Sequence, residues 1–83
     1  MNSLVSIIMP SYNTAEFISE AIKSVINQTY KFWELIIVDD CSTDDTYDII
    51  SAFEDDRIKY FKNEKNVGAA VSRNLALRKA RGR

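Results

Sequence analysis

The apolar positions of the chain predict three short strands separated by helices. Leu4–Met9 and Leu35–Val38 are nearly continuous apolar runs rich in β-branched residues, which is typical of strands buried on both faces of a sheet. Arg57–Phe61 instead alternates polar and apolar side chains, as an edge or half-covered strand does. The pattern therefore predicts a small parallel sheet.

Helical spacing of apolar residues follows each of the first two strands. Apolar side chains recur every three or four positions within residues 15–28, and Asn13 or Thr14 is available as the N-cap. This amphipathic helix is expected to cover one face of the sheet. The next helix is expected to open with Ser42 and Asp45, which form an acidic variant of the capping box.

The order of elements predicts the fold class. The second helix is expected to end near Asp55 and Asp56, and a third helix to run from Gly68 to Gly82. The order is therefore β-α-β-α-β-α, and right-handed crossovers on the same side require the strand order 3-2-1. We expect an α/β fold, a Rossmann-like half of a doubly wound parallel sheet.

Length suggests that this half is incomplete. A full doubly wound domain needs further strands beside the first one, and 83 residues cannot supply them. We therefore expect residues 1–83 to be one truncated domain. The first strand would border the missing half, so its open edge is expected to favour self-association.

Composition narrows the possible partners and the location. A total of 11 basic and 12 acidic residues gives a net charge of −1, which provides no strong field for a polyanion, so nucleic acid is not expected as a partner. Histidine is absent and Cys41 is the single cysteine, which excludes an internal disulfide and a Cys/His zinc site. No apolar run approaches the ~20 residues of a membrane span. We expect a cytoplasmic protein, and the alternative is a full-length protein that lies peripherally at the inner face of the membrane.

Candidate chemistry lies in the loops that follow the strands, because ligands of open α/β sheets bind outside the carboxyl ends of the strands. Tyr12 offers an aromatic face for a base, with Asn13 beside it. Asp39 and Asp40 offer acceptors for base N–H groups or ribose hydroxyls. The loops that we expect to meet at this edge are Pro10–Thr14, Asp39–Thr43 and Asn63–Gly68.

The third of these loops leads into a helix. The free N–H groups at the N-terminus near Gly68 favour an anion, and Arg73 follows about a turn and a half later. Base, ribose and diphosphate would each find a partner at this edge. Each residue also has a simpler interpretation: Tyr12 can pack on the first helix, the two acids can cap a helix, and Arg73 can complement a helix dipole.

Four segments of the chain, the last of them in two parts, stand in a specific order and spacing: Val5–Asn13, Ser24–Tyr30, Glu34–Asp44, and Asn66–Gly68 with Ser72–Asn74. Together they resemble the start of family 2 glycosyltransferases, and the likeness spans almost the whole chain. Each segment alone is weak evidence, whereas their combined order and spacing are specific.

The resemblance implies the A-type glycosyltransferase fold and a nucleotide-sugar site. It places the residue matching Tyr12 against uracil or another base, with the residue after Pro10 flanking the same nucleoside. It implies a base contact for Asp40 and a ribose or structural role for Asp39, with the division between the two acids open.

The resemblance also implies a reaction, and it shows which of the family's functional residues this chain lacks. Gly68 matches the glycine before the third helix, and Arg73 matches a basic residue close to the diphosphate. The expected reaction is inverting transfer from a UDP-sugar, or else a GDP- or dTDP-sugar, to a hydroxyl of a glycan or lipid-linked acceptor. The family's Asp-x-Asp site for Mn²⁺ or Mg²⁺ and its general base do not occur in this chain. We therefore expect no catalytic residue and no metal ligand here, and an inactive fragment.

Two other classes of protein share parts of this pattern. Asp39 and Asp40 resemble the acid pair of a phosphorylatable receiver domain, but that pair follows a first strand, and no aspartate after position 56 supplies the phospho-accepting residue. The other alternative is a non-catalytic module that binds a nucleotide or a protein partner. Binding and turnover measurements on the full-length protein would distinguish this module from a transferase.

Overall fold

A computed structural model describes residues 3–81 as three strands that alternate with three helices. The predicted order of elements is confirmed. The elements are β1 (Val5–Ser11), α1 (Ile18–Ile26), β2 (Trp33–Asp39), α2 (Thr46–Ser51), β3 (Ile58–Lys62) and α3 (Ala69–Lys79).

The strands form one parallel sheet in the order β1-β2-β3, with β2 in the centre. This is the predicted 3-2-1 order, and it confirms half of a doubly wound parallel sheet. Ser11 pairs with Asp39, and Asp39 pairs with Lys62, so the carboxyl ends of all three strands lie at one edge.

Strand β2 divides the core into two halves. All seven of its residues are buried, because it has a neighbouring strand on each side and helices on both faces. On one face, α1 and α2 cover Leu35 and Ile37; on the other, α3 covers Ile36 and Val38. Alternation of side chains along a strand produces this division.

The prediction that β1 is buried on both faces is wrong. Its apolar residues are only half-buried, and Val5 is 37% exposed. Within residues 3–81, β1 pairs only with β2, so one side of the strand lacks a neighbour. Self-association through this edge stays a prediction.

Helix α1 begins later than predicted and has a different start. It starts at Ile18, and neither Asn13 nor Thr14 acts as its side-chain cap. The Thr14 carbonyl instead accepts the backbone N–H groups of Phe17 and Ile18, both at 2.8 Å. The side chains of Asn13 and Thr14 contact neighbouring loop residues, because tertiary bonds compete with local capping.

The predicted capping box before α2 is also wrong. Ser42 donates to Asp39 at the end of β2, while Asp44 accepts the Thr46 N–H at 3.0 Å in a local turn. The helix ends at Ser51, several residues before the predicted pair 55–56. Helix α3 ends at Lys79, and the predicted end at Gly82 lies outside the described residues.

The described helices are short. No helix within residues 3–81 combines the length and the apolar character of a membrane span.

Leu35 tests the dependence of the fold on the central strand. Its side chain is fully buried against α1 and α2. Leu35→Ala is expected to lower the free energy of unfolding by about 2–5 kcal/mol, because it leaves a cavity in the core. Urea denaturation followed by circular dichroism measures the change. Lys23→Ala, on the exposed side of α1, serves as the control and should change it by less than about 0.5 kcal/mol.

Candidate functional site

The predicted loops meet in a cleft of about 280 Å³ at the carboxyl ends of the strands. The β1–α1 loop, the end of β2 and the start of α3 form its walls. This geometry confirms that the three loops open at one edge, as ligand sites of such sheets do. The lining residues are Pro10, Ser11, Tyr12, Asp40, Asn66, Gly68, Ala69 and Ser72.

The loop after β1 turns outward at Tyr12 and is tied down by Asn13. Asn13 has a positive φ of 51°, and its N–H donates to the Ser42 hydroxyl at 2.9 Å. The Asn13 side-chain oxygen accepts the Thr43 N–H at 2.8 Å. Tyr12 lines the cleft and is 49% exposed, so much of its ring surface is open to a ligand. Asn13 holds two loops together and does not line the cleft.

The two acids at the carboxyl end of β2 face opposite sides of the sheet. Asp39 continues the side of Leu35 and Ile37, whereas Asp40 continues the side of Ile36 and Val38. Alternation along the strand therefore assigns them different surroundings. Both are buried, with 1% and 4% of their surface exposed, respectively.

Asp39 is committed to internal hydrogen bonds. One carboxylate oxygen accepts the Ser42 N–H at 2.9 Å and the Ser42 hydroxyl, and the other accepts the Tyr60 hydroxyl. Burial, together with this bond to a carboxylate, raises the pKa of the Tyr60 phenol well above its ordinary range. Asp39 does not line the cleft, and its contacts are those of a structural residue that joins β3 to the β2–α2 loop.

Asp40 lines the cleft and also organises the β3–α3 loop. Its carboxylate accepts the N–H groups of Val67 at 2.7 Å and Gly68 at 2.8 Å, and the Asn63 amide at 3.0 Å. The bond from Val67, and then those from Asn63 and Gly68, lower the pKa of the Asp40 carboxyl despite the opposing effect of burial. A base contact by Asp40 stays a prediction, because nothing in these bonds tests it.

The start of α3 already holds an anion. Gly68 adopts a φ of 93°, which favours glycine, and its N–H points at Asp40. A helix N-terminus favours negative charge, and here the Asp40 carboxylate supplies it. The Gly68 N–H is therefore not free, whereas binding of a ligand phosphate at this helix start stays a prediction.

The structure separates Arg73 from the cleft. Arg73 is exposed on α3 and does not line the cleft, whereas the neighbouring Ser72 is buried and does. The sequence interpretation did not assign roles to Asn63, Asn66 and Ser72. The sequence did contain a signal for Ser72, because a serine one helical turn after Gly68 lies on the same helix face as that glycine.

The described residues do not fit a metal site. Within residues 3–81, no group of three aspartate, glutamate, cysteine or histidine side chains is placed to hold an ion. The oxygens of Asp39 and Asp40 accept N–H and O–H donors, which is an arrangement for hydrogen bonding and not for metal coordination.

Sheet, crossovers and cleft together define half of a doubly wound α/β domain with a ligand cleft at its carboxyl edge. Residues 6–83 match the family described as Glycosyl transferase family 2, and the chain belongs to that family. The resemblance seen in the sequence is confirmed.

Relatives and solved structures agree with this assignment. UDP-Glc:alpha-D-GlcNAc-diphosphoundecaprenol beta-1,3-glucosyltransferase WfgD of Escherichia coli is 54% identical over 80 residues, which are 96% of this chain and 32% of WfgD. The crystal structure of S. aureus TarS 1-349 in complex with UDP-GlcNAc aligns with a TM-score of 0.90 and 34% identity, over 98% of this chain and 24% of TarS 1-349.

The structure of a mannosyltransferase shows the same likeness. Mannosyltransferase PcManGT from Pyrobaculum calidifontis, in complex with GDP-Man and Mn²⁺, aligns with a TM-score of 0.89 and 30% identity, over 99% of this chain and 26% of PcManGT. These neighbours confirm the A-type glycosyltransferase fold. The chain spans about a third of the length of the curated relatives it matches.

Acid titration tests the bonding of Asp40. The pKa of Asp40 is lower in the folded chain than its ordinary value of 3.8. The stability that its carboxylate contributes is therefore present above pH 3.8, and it is lost as pH falls through the lower pKa of the folded state. Asp40→Asn is expected to lower the urea midpoint at neutral pH and to flatten its decline below about pH 4. Asp56→Asn, an exposed acid, is the control and should preserve the wild-type curve. An unchanged midpoint in Asp40→Asn would contradict this role.

Proposed function

We propose that the protein containing this chain transfers a sugar from a nucleoside-diphosphate sugar to a hydroxyl acceptor, with inversion at the anomeric carbon. The proposed donor is a UDP-sugar, with a GDP- or dTDP-sugar as the second choice. The observation that carries the proposal is the cleft, where an aromatic ring, a buried carboxylate and a helix start converge. The donors named with TarS and PcManGT, UDP-GlcNAc and GDP-Man, support it.

The role of these residues is donor capture. Tyr12 offers its face to the base, the residue after Pro10 flanks the nucleoside, and Asp40 accepts a base N–H. Binding energy gathered here would orient the diphosphate for the chemical step. The receiver alternative gains no support, because the acid pair lies at the end of the second strand and its carboxylates are held by internal donors.

The diphosphate needs positively charged partners, and the Asp40 carboxylate cannot be one of them. The N–H groups at the start of α3 favour an anion, but the Asp40 charge beside them opposes a second one. We propose that Gly68 shapes this turn and that Arg73 approaches the diphosphate from the exposed side of α3. The Mn²⁺ in the PcManGT complex supports a divalent metal in the whole protein, with ligands outside residues 3–81.

The acceptor and the location follow from the relatives only by analogy. The name of WfgD includes a diphosphoundecaprenol acceptor, which supports a glycan or lipid-linked acceptor for this protein as well. A cytoplasmic protein that approaches the inner face of the membrane would meet such a substrate. We propose this location.

Turnover distinguishes the transferase from a non-catalytic nucleotide-binding module. The intact protein is expected to release UDP from a UDP-sugar when metal and a hydroxyl acceptor are present, and the 83-residue chain is expected to release none. A coupled assay for UDP measures both. Tight UDP binding by the intact protein without any turnover, across a panel of sugars and acceptors, would favour the module.

Tyr12 tests the position of the base. Tyr12→Ala in the intact protein is expected to weaken UDP binding by about 1–3 kcal/mol, because it removes a stacking surface for the base. Isothermal titration calorimetry measures this change. The control is Phe17→Ala, which removes an exposed aromatic ring that does not line the cleft. Equal affinities for the unaltered protein and Tyr12→Ala would remove Tyr12 from the site.

Arg73 is tested against a second arginine on the same helix. Arg73→Ala is expected to weaken UDP binding several-fold, and more strongly at low salt, because the diphosphate loses a cation. Uridine, which has no phosphate, should bind to both forms alike. Arg78→Ala removes an exposed arginine further along α3 and should leave UDP affinity unchanged. An unchanged UDP affinity in Arg73→Ala would contradict a contact between Arg73 and the diphosphate.

A further inference from the structure

The loop that carries Tyr12 is held in place by side chains that follow β2. Three successive backbone N–H groups of this loop each donate to a different side chain of the β2–α2 segment. The donors and acceptors are the Asn13 N–H and Ser42 Oγ at 2.9 Å, the Thr14 N–H and Thr46 Oγ1 at 3.1 Å, and the Ala15 N–H and Asp44 Oδ2 at 3.1 Å. The β2–α2 segment therefore determines the path of the backbone directly after Tyr12.

Tyr12 lies between two fixed points of the backbone. On one side of it, the Ser11 carbonyl accepts the Asp40 N–H at 2.7 Å. On the other side, Asn13 has a φ of 51°, a left-handed conformation that asparagine adopts more readily than most residues. Within residues 3–81, the Tyr12 side chain forms no hydrogen bond or ring contact of its own. The direction of its ring therefore depends on the backbone of these two neighbours.

The Asp39 carboxylate determines how Ser42 holds Asn13. The Ser42 hydroxyl donates its single hydrogen to Asp39 Oδ1, because a carboxylate accepts hydrogen bonds and cannot donate them. Only the lone pairs of Ser42 Oγ then remain, and they accept the Asn13 N–H. The Ser42 N–H donates to the same Asp39 oxygen at 2.9 Å, so this serine is held at two points. A buried carboxylate thus orients the hydroxyl that holds the residue after Tyr12.

We propose that Ser42 and Asn13 are positioning residues that hold the Tyr12 ring in the orientation required for stacking on a base. Neither residue lines the cleft, so both act through the backbone of the loop and not by contact with the ligand. Asp39 belongs to the same arrangement, which gives it a supporting role in place of a ribose contact. This inference rests on the proposed capture of a nucleotide beside Tyr12.

The test compares two nucleotides that differ in the aromatic character of the base. Dihydro-UDP has the ribose, the diphosphate and the N3–H of UDP, but its saturated ring is puckered and lacks an aromatic face. The intact protein is expected to bind UDP at least about fivefold more tightly than dihydro-UDP, which corresponds to one base stacked on an aromatic side chain. Ser42→Ala removes the acceptor of the Asn13 N–H and is expected to reduce this ratio to within about twofold.

Three further variants complete the experiment. Ser42→Thr keeps the hydroxyl and is expected to retain the wild-type ratio. Asn13→Gly keeps the left-handed backbone but loses the side-chain bond to the Thr43 N–H, which is 2.8 Å long, so it should lower the ratio by a smaller factor. Ser24→Ala removes an exposed hydroxyl that bonds within α1, and this control should leave both affinities unchanged. Calorimetry on each form supplies the two dissociation constants.

The outcomes separate this inference from the function on which it rests. A wild-type ratio in Ser42→Ala, with UDP still bound, would overturn the positioning role and leave the proposed function standing. An equal loss of affinity for both nucleotides would do the same, because a general structural defect has that effect. If Ser42→Ala does not fold, Asn13→Gly decides by the same criteria. Equal binding of the two nucleotides by the unaltered protein would also overturn the inference, and failure to bind UDP at all would overturn the proposed function with it.

Discussion

The interaction on which the cleft depends is the capture of two backbone N–H groups by Asp40. Val67 and Gly68 lie in the loop before α3, and both donate to this one carboxylate. The bonds join the end of the central strand to the start of a helix nearly thirty residues away in sequence. Because buried polar groups must be paired, the loop and the carboxylate stabilise each other. Without this pairing the cleft would lose one of its walls.

Asp39, the other acid at the same strand end, binds a different set of residues. Asp39 faces the α1 and α2 side and binds Ser42 and Tyr60, whereas Asp40 faces α3. The two carboxylates are adjacent in sequence, but they bind different partners on opposite sides of the sheet. One organises the loops that carry Asn13, and the other organises the wall of the cleft. The alternation of a β-strand accounts for this separation.

This arrangement connects the fold to the proposed donor site. The bonds from neutral donors hold Asp40 ionised and oriented, and Asn13 ties together the two loops beside Tyr12. Because these donors are neutral, Asp40 keeps its negative charge in the cleft, and this charge disfavours a phosphate placed directly against it. In the proposed complex, charge compensation for the diphosphate would come from Arg73 or from parts of the protein outside the described residues.

The sequence alone determined the order of elements, the strand order and the loops that form the cleft, because apolar periodicity and crossover handedness depend little on detail. Its motifs also identified the family. Tertiary structure decided the start of α1, the partners of Ser42, and the burial of β1. It also decided that Asp40 holds Gly68 and that Arg73 lies outside the cleft. These outcomes depend on contacts between distant residues, where several local donors and acceptors compete and only packing selects one.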